Sequence, residues 1–279
     1  MANNFNHRAA DWYVPGDMDR SVPMPPVRWK LAKSVAERVQ RSWPSRVLVG
    51  ALFGRGVPFR GTRIRPATRF AVEGPILLAG NYERSEIDFV HRHLPADQQV
   101  IELGASIGGN SCQISRRLRP GVPLTCVEAN PELIPVLTGN LTRNCPERPF
   151  EVVHAMVGES GGVGRLRLDH STLRSSGEVG SRVVEVPALT LADLVARIGP
   201  GPYSLVCDIE GAEAAFLDNP GGVLDRCTCI VLEGHATTRR GTDLTLDDVL
   251  SMPLRGGQWR QVERYGAVAA YLRNVPESA

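Results

Sequence analysis

From residue 83 onward, the apolar residues of the chain alternate between two spacings. Continuous apolar runs, typical of strands buried on both faces, alternate with stretches of helical periodicity. The predicted strands are QVIEL (99–103), LTCVE (124–128), FEVVHAM (150–156), YSLVCDI (203–209) and TCIVLEG (228–234). The predicted helices cover about 85–94, 109–118, a segment from about 131, 189–198, 211–218 and 245–251. This βαβ rhythm predicts a mostly parallel sheet covered by helices on both faces.

The pattern also predicts how the elements begin and end. Ser85 and Asp88 have the spacing of a capping box, which predicts the start of the first helix. Pro131 predicts the first turn of a later helix. The runs WRQVE and AVAAYL near the C-terminus are joined by residues 264–266 only, and they predict an antiparallel hairpin at the sheet edge.

Residues 1–82 lack this rhythm. Residues 1–27, rich in Pro, Asn and Asp, predict a flexible arm. Residues 28–43 carry apolar side chains at steps of three and four among basic ones, which predicts a basic helix that packs on the main domain or lies on a membrane surface or partner. Short β-prone runs over 57–82 predict a hairpin. We therefore expect an arm (1–27), a helix and hairpin extension (28–82) and one domain over 83–279.

Charge is unevenly distributed although the net charge is only +2. Residues 1–70 carry 13 Arg or Lys against 4 Asp or Glu, whereas the rest carries 19 against 26. The main domain is therefore acidic, and we expect no nucleic-acid partner. No apolar run reaches the length of a membrane span, and the six cysteines form no CxxC pair. We expect a cytoplasmic protein with no integral membrane association, and the oligomeric state stays open.

The sequence ELGASIGGNS (102–111) follows the first buried strand and contains the candidate binding loop. In such a sheet, ligands bind outside the carboxyl ends of the strands, where the strand order reverses. Gly104 and Gly109 have the outer spacing of a dinucleotide-binding loop, but Ser106 takes the middle position. Glu102 would repel a pyrophosphate by about 4 kcal/mol for charges roughly 4 Å apart at an effective dielectric constant of about 20. A cationic ligand would gain from Glu102, which favours S-adenosylmethionine over NAD.

Glu128 ends the next strand, 24 residues after Gly104. An acidic residue at this place accepts hydrogen bonds from the ribose hydroxyls of a bound nucleoside. This role is common to both cofactors, so Glu128 predicts a nucleoside without distinguishing between them.

Three segments together resemble the FkbM-type family of S-adenosylmethionine-dependent methyltransferases: VIELGASIGGNS, CVEAN and LVCDIEGAE (205–213). The similarity extends over about residues 81–273. It implies an α/β class I methyltransferase fold, which is Rossmann-like, with a seven-stranded, mostly parallel sheet and an antiparallel last strand. It also implies methylation of a hydroxyl group on a small molecule, a sugar or a natural-product scaffold.

The resemblance also implies site residues, position by position. It assigns cofactor binding to Glu102, Gly104, Ser106, Gly108 and Glu128, and it places Asp208, Glu210 and Glu213 near the reaction centre. Two positions depart from the family's pattern: Val206 replaces the usual lysine, and Ser106 replaces the usual asparagine. The first departure puts in question a mechanism that needs a lysine charge beside the substrate, whereas the second should leave the turn intact.

The candidate catalytic residues lie at two neighbouring strand ends. Asp208 ends the fourth strand and is predicted to face the substrate, with Glu210 bracing the loop or contacting the substrate. His235 follows the fifth strand and is a candidate general base, because its reference pKa lies near working pH; a surface-loop histidine is the alternative. Asp208, Glu233 and His235 could bind Mg²⁺ or Mn²⁺, but their spacing does not favour a metal, and we predict no metal ligand.

These observations predict an O-methyltransferase that uses S-adenosylmethionine and a small-molecule acceptor. A binding module that keeps the cofactor pocket without turnover is the alternative, which Val206 in place of lysine keeps open. An NAD-linked oxidoreductase is disfavoured by Glu102. The polar insertion at 169–182 is interpreted as a lid over the site or as an exposed hairpin tip.

Overall fold

The computed structural model describes residues 51, 53–67, 77, 78, 80, 82–168 and 182–274. The predicted arm and basic helix, and residues 169–181 of the predicted lid, lie outside these ranges. The helices are α1 (Arg84–His93), α2 (Gly109–Arg117), α3 (Ile134–Asn144), α4 (Leu191–Arg197), α5 (Ala214–Leu217) and α6 (Leu246–Ser251). None of the helices in these ranges is long and apolar enough to cross a membrane.

The strands belong to one large sheet and three small ones. They are β1 (Val57–Phe59), β2 (Thr62–Ile64), β3 (Gln99–Leu103), β4 (Leu124–Glu128), β5 (Phe150–His154), β6 (Met156–Val157), β7 (Gly162–Leu168), β8 (Arg182–Leu189), β9 (Tyr203–Cys207), β10 (Cys227–Glu233), β11 (Thr237–Arg239), β12 (Thr242–Leu244), β13 (Trp259–Tyr265) and β14 (Val268–Arg273). The small sheets are the β1–β2 and β11–β12 hairpins and a three-stranded sheet of β6, β8 and β7.

The large sheet has seven strands in the order β13-β14-β10-β9-β3-β4-β5. Five of them, β3, β4, β5, β9 and β10, are parallel, whereas β14 is antiparallel to both of its neighbours. β4 and β5 follow β3 on one side of the sheet, whereas β9, β10, β14 and β13 lie on its other side. The strand order therefore reverses between β3 and β9. This confirms the predicted fold, an α/β, Rossmann-like, mostly parallel sheet with an antiparallel last strand.

Helices bury both faces of the large sheet, as its continuous apolar strands predict. α1, α2 and α3 contribute to the core on one face, together with Val57, Phe59 and Ile64 of the β1–β2 hairpin. α4, α5 and α6 contribute to the core on the other face. The hairpin is fixed to α3 by Asn140, which accepts the backbone N–H of Arg65 at 2.8 Å and donates to its carbonyl at 2.9 Å. The predicted hairpin therefore packs into the core of the sheet, whereas the domain boundary at residue 82 stays a prediction.

Several element boundaries differ from the predicted ones. β5 ends at His154, because the chain then leaves the large sheet and Met156 pairs with Ala188 of β8. α3 begins at Ile134, so Pro131 lies before the helix. α5 has only four residues, because the segment after β9 forms turns before the helix begins.

The predicted capping box at Ser85 and Asp88 is absent. α1 begins after Glu83, whose φ is 44° and which makes no side-chain cap, so Ser85 lies inside the helix. The Asp88 carboxylate instead accepts a hydrogen bond from the guanidinium of Arg60 at 2.6 Å. Capping boxes do begin α4 and α6, formed by Thr190 with Asp193 and by Thr245 with Asp248.

Candidate cofactor and acceptor site

The glycine loop between β3 and α2 brings three strand ends close together. Gly104 has a φ of 86°, and its N–H donates to the carbonyl of Val127 in β4 at 2.9 Å. A Cβ at this position would lie 1.7 Å from the backbone oxygen of Asp208, at the end of β9. Gly108 has a φ of 83°, and a Cβ there would lie 2.8 Å from Cδ1 of Leu137. Both positions therefore require glycine for conformation and for space.

Glu128 holds the loop from the end of β4. One carboxylate oxygen accepts the backbone N–H of Ser106 at 2.7 Å, and the other accepts that of Asn130 at 2.7 Å. Burial raises the pKa of Glu128, and these two hydrogen bonds oppose the increase. Each carboxylate oxygen can accept more than one hydrogen bond, so the side chain keeps the capacity to bind two ribose hydroxyls.

Glu102 is buried at the end of β3, with 2% of its surface exposed. Its in-register neighbours are Cys126 of β4 and Val206 of β9, and the Cys126 thiol donates to its carboxylate at 3.3 Å. Burial raises the pKa of Glu102 to about 7, and the negative charge of Glu128 adds to the increase. Within the described ranges, no Arg or Lys side chain pairs with this carboxylate. A cationic group of a ligand would therefore stabilise its ionised form.

The structure brings Asp208, Glu210 and His235 together at the ends of β9 and β10. Nε2 of His235 lies 3.9 Å from Oδ1 of Asp208 and 3.7 Å from Oε2 of Glu210. Nδ1 of His235 lies 2.9 Å from Oε1 of Glu213, whose side chain is fully buried. Glu210 has a φ of 53°, which turns the chain sharply after β9. Both nitrogens of the imidazole therefore face carboxylates.

These carboxylates determine the charge of His235. Burial by itself lowers the pKa of His235, but the hydrogen bond with Glu213 and the charges of Asp208 and Glu210 outweigh it and raise the pKa to about 9. The imidazole is therefore cationic near neutral pH. The reason given from the sequence for a general base, a pKa near working pH, does not hold in this environment.

Two acidic residues at the start of α1, Glu83 just before the helix and Glu86 in its first turn, join this site and were not predicted from the sequence. Glu86 is 3% exposed, and its carboxylate lies within 4.8 Å of those of Asp208 and Glu233. The pKa of Glu83 is raised by burial and by the negative charge of Asp208. A signal for Glu86 is present in the sequence, because it lies three positions before Phe89 on the apolar stripe of the helix. An acid on a buried stripe indicates a partner or a ligand.

Two sets of side chains at this site could hold a cation. One is Glu86, Asp208 and Glu233, and the other is Asp208, Glu210 and His235. The set considered from the sequence, Asp208, Glu233 and His235, shares two members with each.

Comparison with models of protein families identifies the family of this chain. A model of the methyltransferase FkbM domain matches residues 115–273, which is more than half of the chain. Among the curated proteins, none matches significantly.

Among solved structures, an rRNA methylase from Streptococcus thermophilus matches with 11% identity and a TM-score of 0.40, over 68% of this chain and 95% of its own. A precorrin-6y C5,15-methyltransferase from Geobacter metallireducens matches with 13% identity and a TM-score of 0.39, over 68% and 89%. A ribosomal protein L11 methylase from Lactobacillus delbrueckii matches with 10% identity and a TM-score of 0.40, over 70% and 80%. At these values, the solved structures add nothing to the family match.

Proposed function

Because the chain belongs to the FkbM methyltransferase family, we propose that it transfers a methyl group from S-adenosylmethionine to a hydroxyl oxygen of a small-molecule acceptor, such as a sugar or a natural product. The observation that supports this proposal is that two groups lie side by side. The first is Glu102 beside the glycine loop, with no Arg or Lys partner among the described residues, and the second is the pair of carboxylates of Asp208 and Glu210 after the neighbouring strand β9. The first group suits a cationic cofactor, and the second suits an acceptor that loses a proton.

The residues of the loop fit S-adenosylmethionine better than NAD. Glu128 would accept hydrogen bonds from the ribose, Gly104 and Gly108 would let the ligand approach the backbone, and Glu102 would face the ammonium group. The pyrophosphate of NAD would lie beside the negative charge of Glu102 without a basic partner among the described residues.

When bound, S-adenosylmethionine supplies a methyl carbon activated by its sulfonium: the acceptor oxygen bonds to this carbon while the carbon–sulfur bond breaks and its electron pair stays on sulfur. The hydroxyl proton must then go to a base on the protein. We assign the contact with the acceptor to Asp208 and the proton to Glu210, whose side chain is 34% exposed and can pass the proton to solvent. His235, held by Glu213, orients both carboxylates.

Orientation should outweigh proton removal in this reaction. Correct positioning of two reactants contributes about 7–11 kcal/mol, whereas a general base contributes about 10² to 10⁴ in rate. The rigid ends of β9 and β10 support such positioning, because Asp208 directly follows a fully buried strand.

The charge of the site bears on the class of acceptor. The acceptor side contains Glu86, Asp208, Glu210 and Glu233 with His235 as the nearby cation. A phosphate backbone would be repelled here, since nucleic-acid binding depends on Lys and Arg contacts. We therefore propose an uncharged acceptor without phosphate groups. The location in the cytoplasm, expected from the sequence, is a separate proposal.

Calorimetric titration of the full chain with S-adenosylhomocysteine, NAD and a Glu128→Ala variant tests the cofactor assignment. We expect S-adenosylhomocysteine to bind, NAD to give no heat and the variant to lose binding. Heat from NAD alone would contradict the proposal and favour an oxidoreductase.

A second assay tests turnover by measuring S-adenosylhomocysteine released with matched hydroxyl and amine acceptors. We expect product with hydroxyl acceptors, and a loss of kcat of about 10²-fold in Asp208→Asn, which misplaces the acceptor, with cofactor affinity unchanged. Glu185→Gln, which changes an exposed carboxylate of β8, is the matched control. Cofactor binding without product from any acceptor would favour the binding module instead.

A further inference from the structure

Three carboxylates from separate elements meet on the acceptor side of the site. Glu86 lies in the first turn of α1, Asp208 follows β9, and Glu233 ends β10. One oxygen from each lies within 4.8 Å of the others. Three like charges at such distances repel one another, and the repulsion grows as water is excluded.

Glu86 provides a second observation that points to a ligand. Its side chain is 97% buried and is directed at the other two carboxylates, yet among the described residues it has no hydrogen bond and no ion pair. Oδ1 of Asp208 is also buried without a hydrogen bond in the part of the chain that the structure describes. Buried carboxylates are normally paired or coordinate a metal. Among the described residues, the positive group beside these three is the imidazole of His235, 3.9 Å from Oδ1 of Asp208, so one cation faces three carboxylates and Glu86 is not paired with it.

We propose that Glu86, Asp208 and Glu233 bind one divalent cation of the Mg²⁺ or Mn²⁺ class. Three carboxylate oxygens form a hard donor set, which suits these ions. Three oxygens that lie within 4.8 Å of one another are at most about 2.8 Å from a common centre, so shifts of less than about 1 Å bring them to the roughly 2.1 Å of a Mg²⁺ ligand. The remaining coordination positions stay open to water or to an acceptor oxygen.

The set of Asp208, Glu210 and His235 is less suited to the same ion. Nδ1 of His235 contacts the fully buried Glu213, and Nε2 faces the carboxylates of Asp208 and Glu210. Three neighbouring carboxylates favour the cationic form of an imidazole, which carries a proton on both nitrogens and therefore has no lone pair for a metal. His235 therefore supplies a neighbouring positive charge, and the cation belongs with Glu86.

The role of this cation rests on the proposed function. An ion at the ends of β9 and β10 would bind the acceptor hydroxyl through its oxygen, fix its orientation and favour loss of its proton. Asp208 would then contact the acceptor through the ion, while Glu210 still receives the proton.

Titration of the full, EDTA-treated chain with MnCl₂, followed by calorimetry and by the electron paramagnetic resonance signal of free Mn²⁺, tests the site. We expect one Mn²⁺ per chain, displaced by Mg²⁺, with Glu86→Gln weakening binding at least about tenfold. Glu185→Gln, an exposed carboxylate outside the site, should bind Mn²⁺ as the unchanged chain does. Circular dichroism and S-adenosylhomocysteine titration on the same samples establish that Glu86→Gln is folded.

Two results would overturn the proposal. The first is no Mn²⁺ binding up to about 1 mM, the range of the weakest structural cation sites. The second is equal Mn²⁺ affinity in Glu86→Gln and in the unchanged chain. Because cofactor binding is measured separately, loss of the metal site and failure of the methyltransferase assignment give different results.

Discussion

Replacing Glu102 by Gln should make the protein more stable at alkaline pH. Glu102 is buried, and burial raises its pKa from 4.5 to about 7. The change Glu102→Gln keeps the size of the side chain and its capacity to accept the thiol hydrogen of Cys126, but removes the charge. It therefore tests whether a carboxylate without a counter-charge lies at the end of β3.

The expected magnitude follows from the difference between the folded and unfolded pKa values. A shift from 4.5 to about 7 corresponds to about 3 kcal/mol of free energy. Because the pKa is raised in the folded state, the folded protein binds more protons than the unfolded chain between these values, and stability falls as pH rises. The cost is absent below pH 4.5 and fully present above about pH 7. Glu102→Gln should gain about 3 kcal/mol relative to the unchanged chain between these limits.

Urea unfolding at acidic and alkaline pH measures this gain. The difference in free energy of unfolding between Glu102→Gln and the unchanged chain should increase from about pH 4.5 to about pH 8. Glu185→Gln, at an exposed position of β8, should show no such increase. A difference that is the same at both pH values would refute the reasoning, because it would mean that Glu102 does not titrate near neutrality in the folded state.

Two further predictions concern the same loop. Affinity for S-adenosylhomocysteine, measured by calorimetry, should rise between about pH 6 and pH 8 as Glu102 ionises near pH 7. Glu102→Gln should remove this pH dependence. The same pH dependence in the variant would mean that Glu102 does not contact the cofactor. Gly104→Ala should unfold the chain or cost more than about 4 kcal/mol in urea unfolding, because its Cβ would overlap the carbonyl of Asp208. Gly121→Ala, with a similar φ of 85° but open space around it, should cost about 1 kcal/mol, and equal losses would contradict the steric argument.

Much of the fold follows directly from the sequence. The ranges 99–103 and 124–128 match β3 and β4, because a strand that is buried on both faces of a sheet is apolar along its whole length. The capping box at Ser85 failed for a reason that local spacing does not contain. Asp88 pairs with Arg60, 28 residues earlier, so a tertiary contact took the carboxylate that would have capped the helix.

The acceptor side of the site was predictable only in part. Asp208 and His235 follow neighbouring strands, so parallel order alone brings them to one edge. Glu86 required the position of α1 against β10 and β14, which is set by packing between distant segments. The contact of Glu213 with His235 depends on the left-handed turn at Glu210, and no sequence period encodes that turn.

Val206 links the cofactor side of the site to the family's pattern. It lies in register with Glu102 across β3 and β9 and is fully buried. A lysine there, as the family usually has, would place a positive charge beside Glu102. With valine, that strand supplies no counter-charge, and the raised pKa of Glu102 follows from burial. Val206 in place of lysine therefore does not by itself indicate lost turnover, because the positive groups of a bound cofactor can take the place of the lysine charge. Cofactor binding then depends on the ionisation of Glu102.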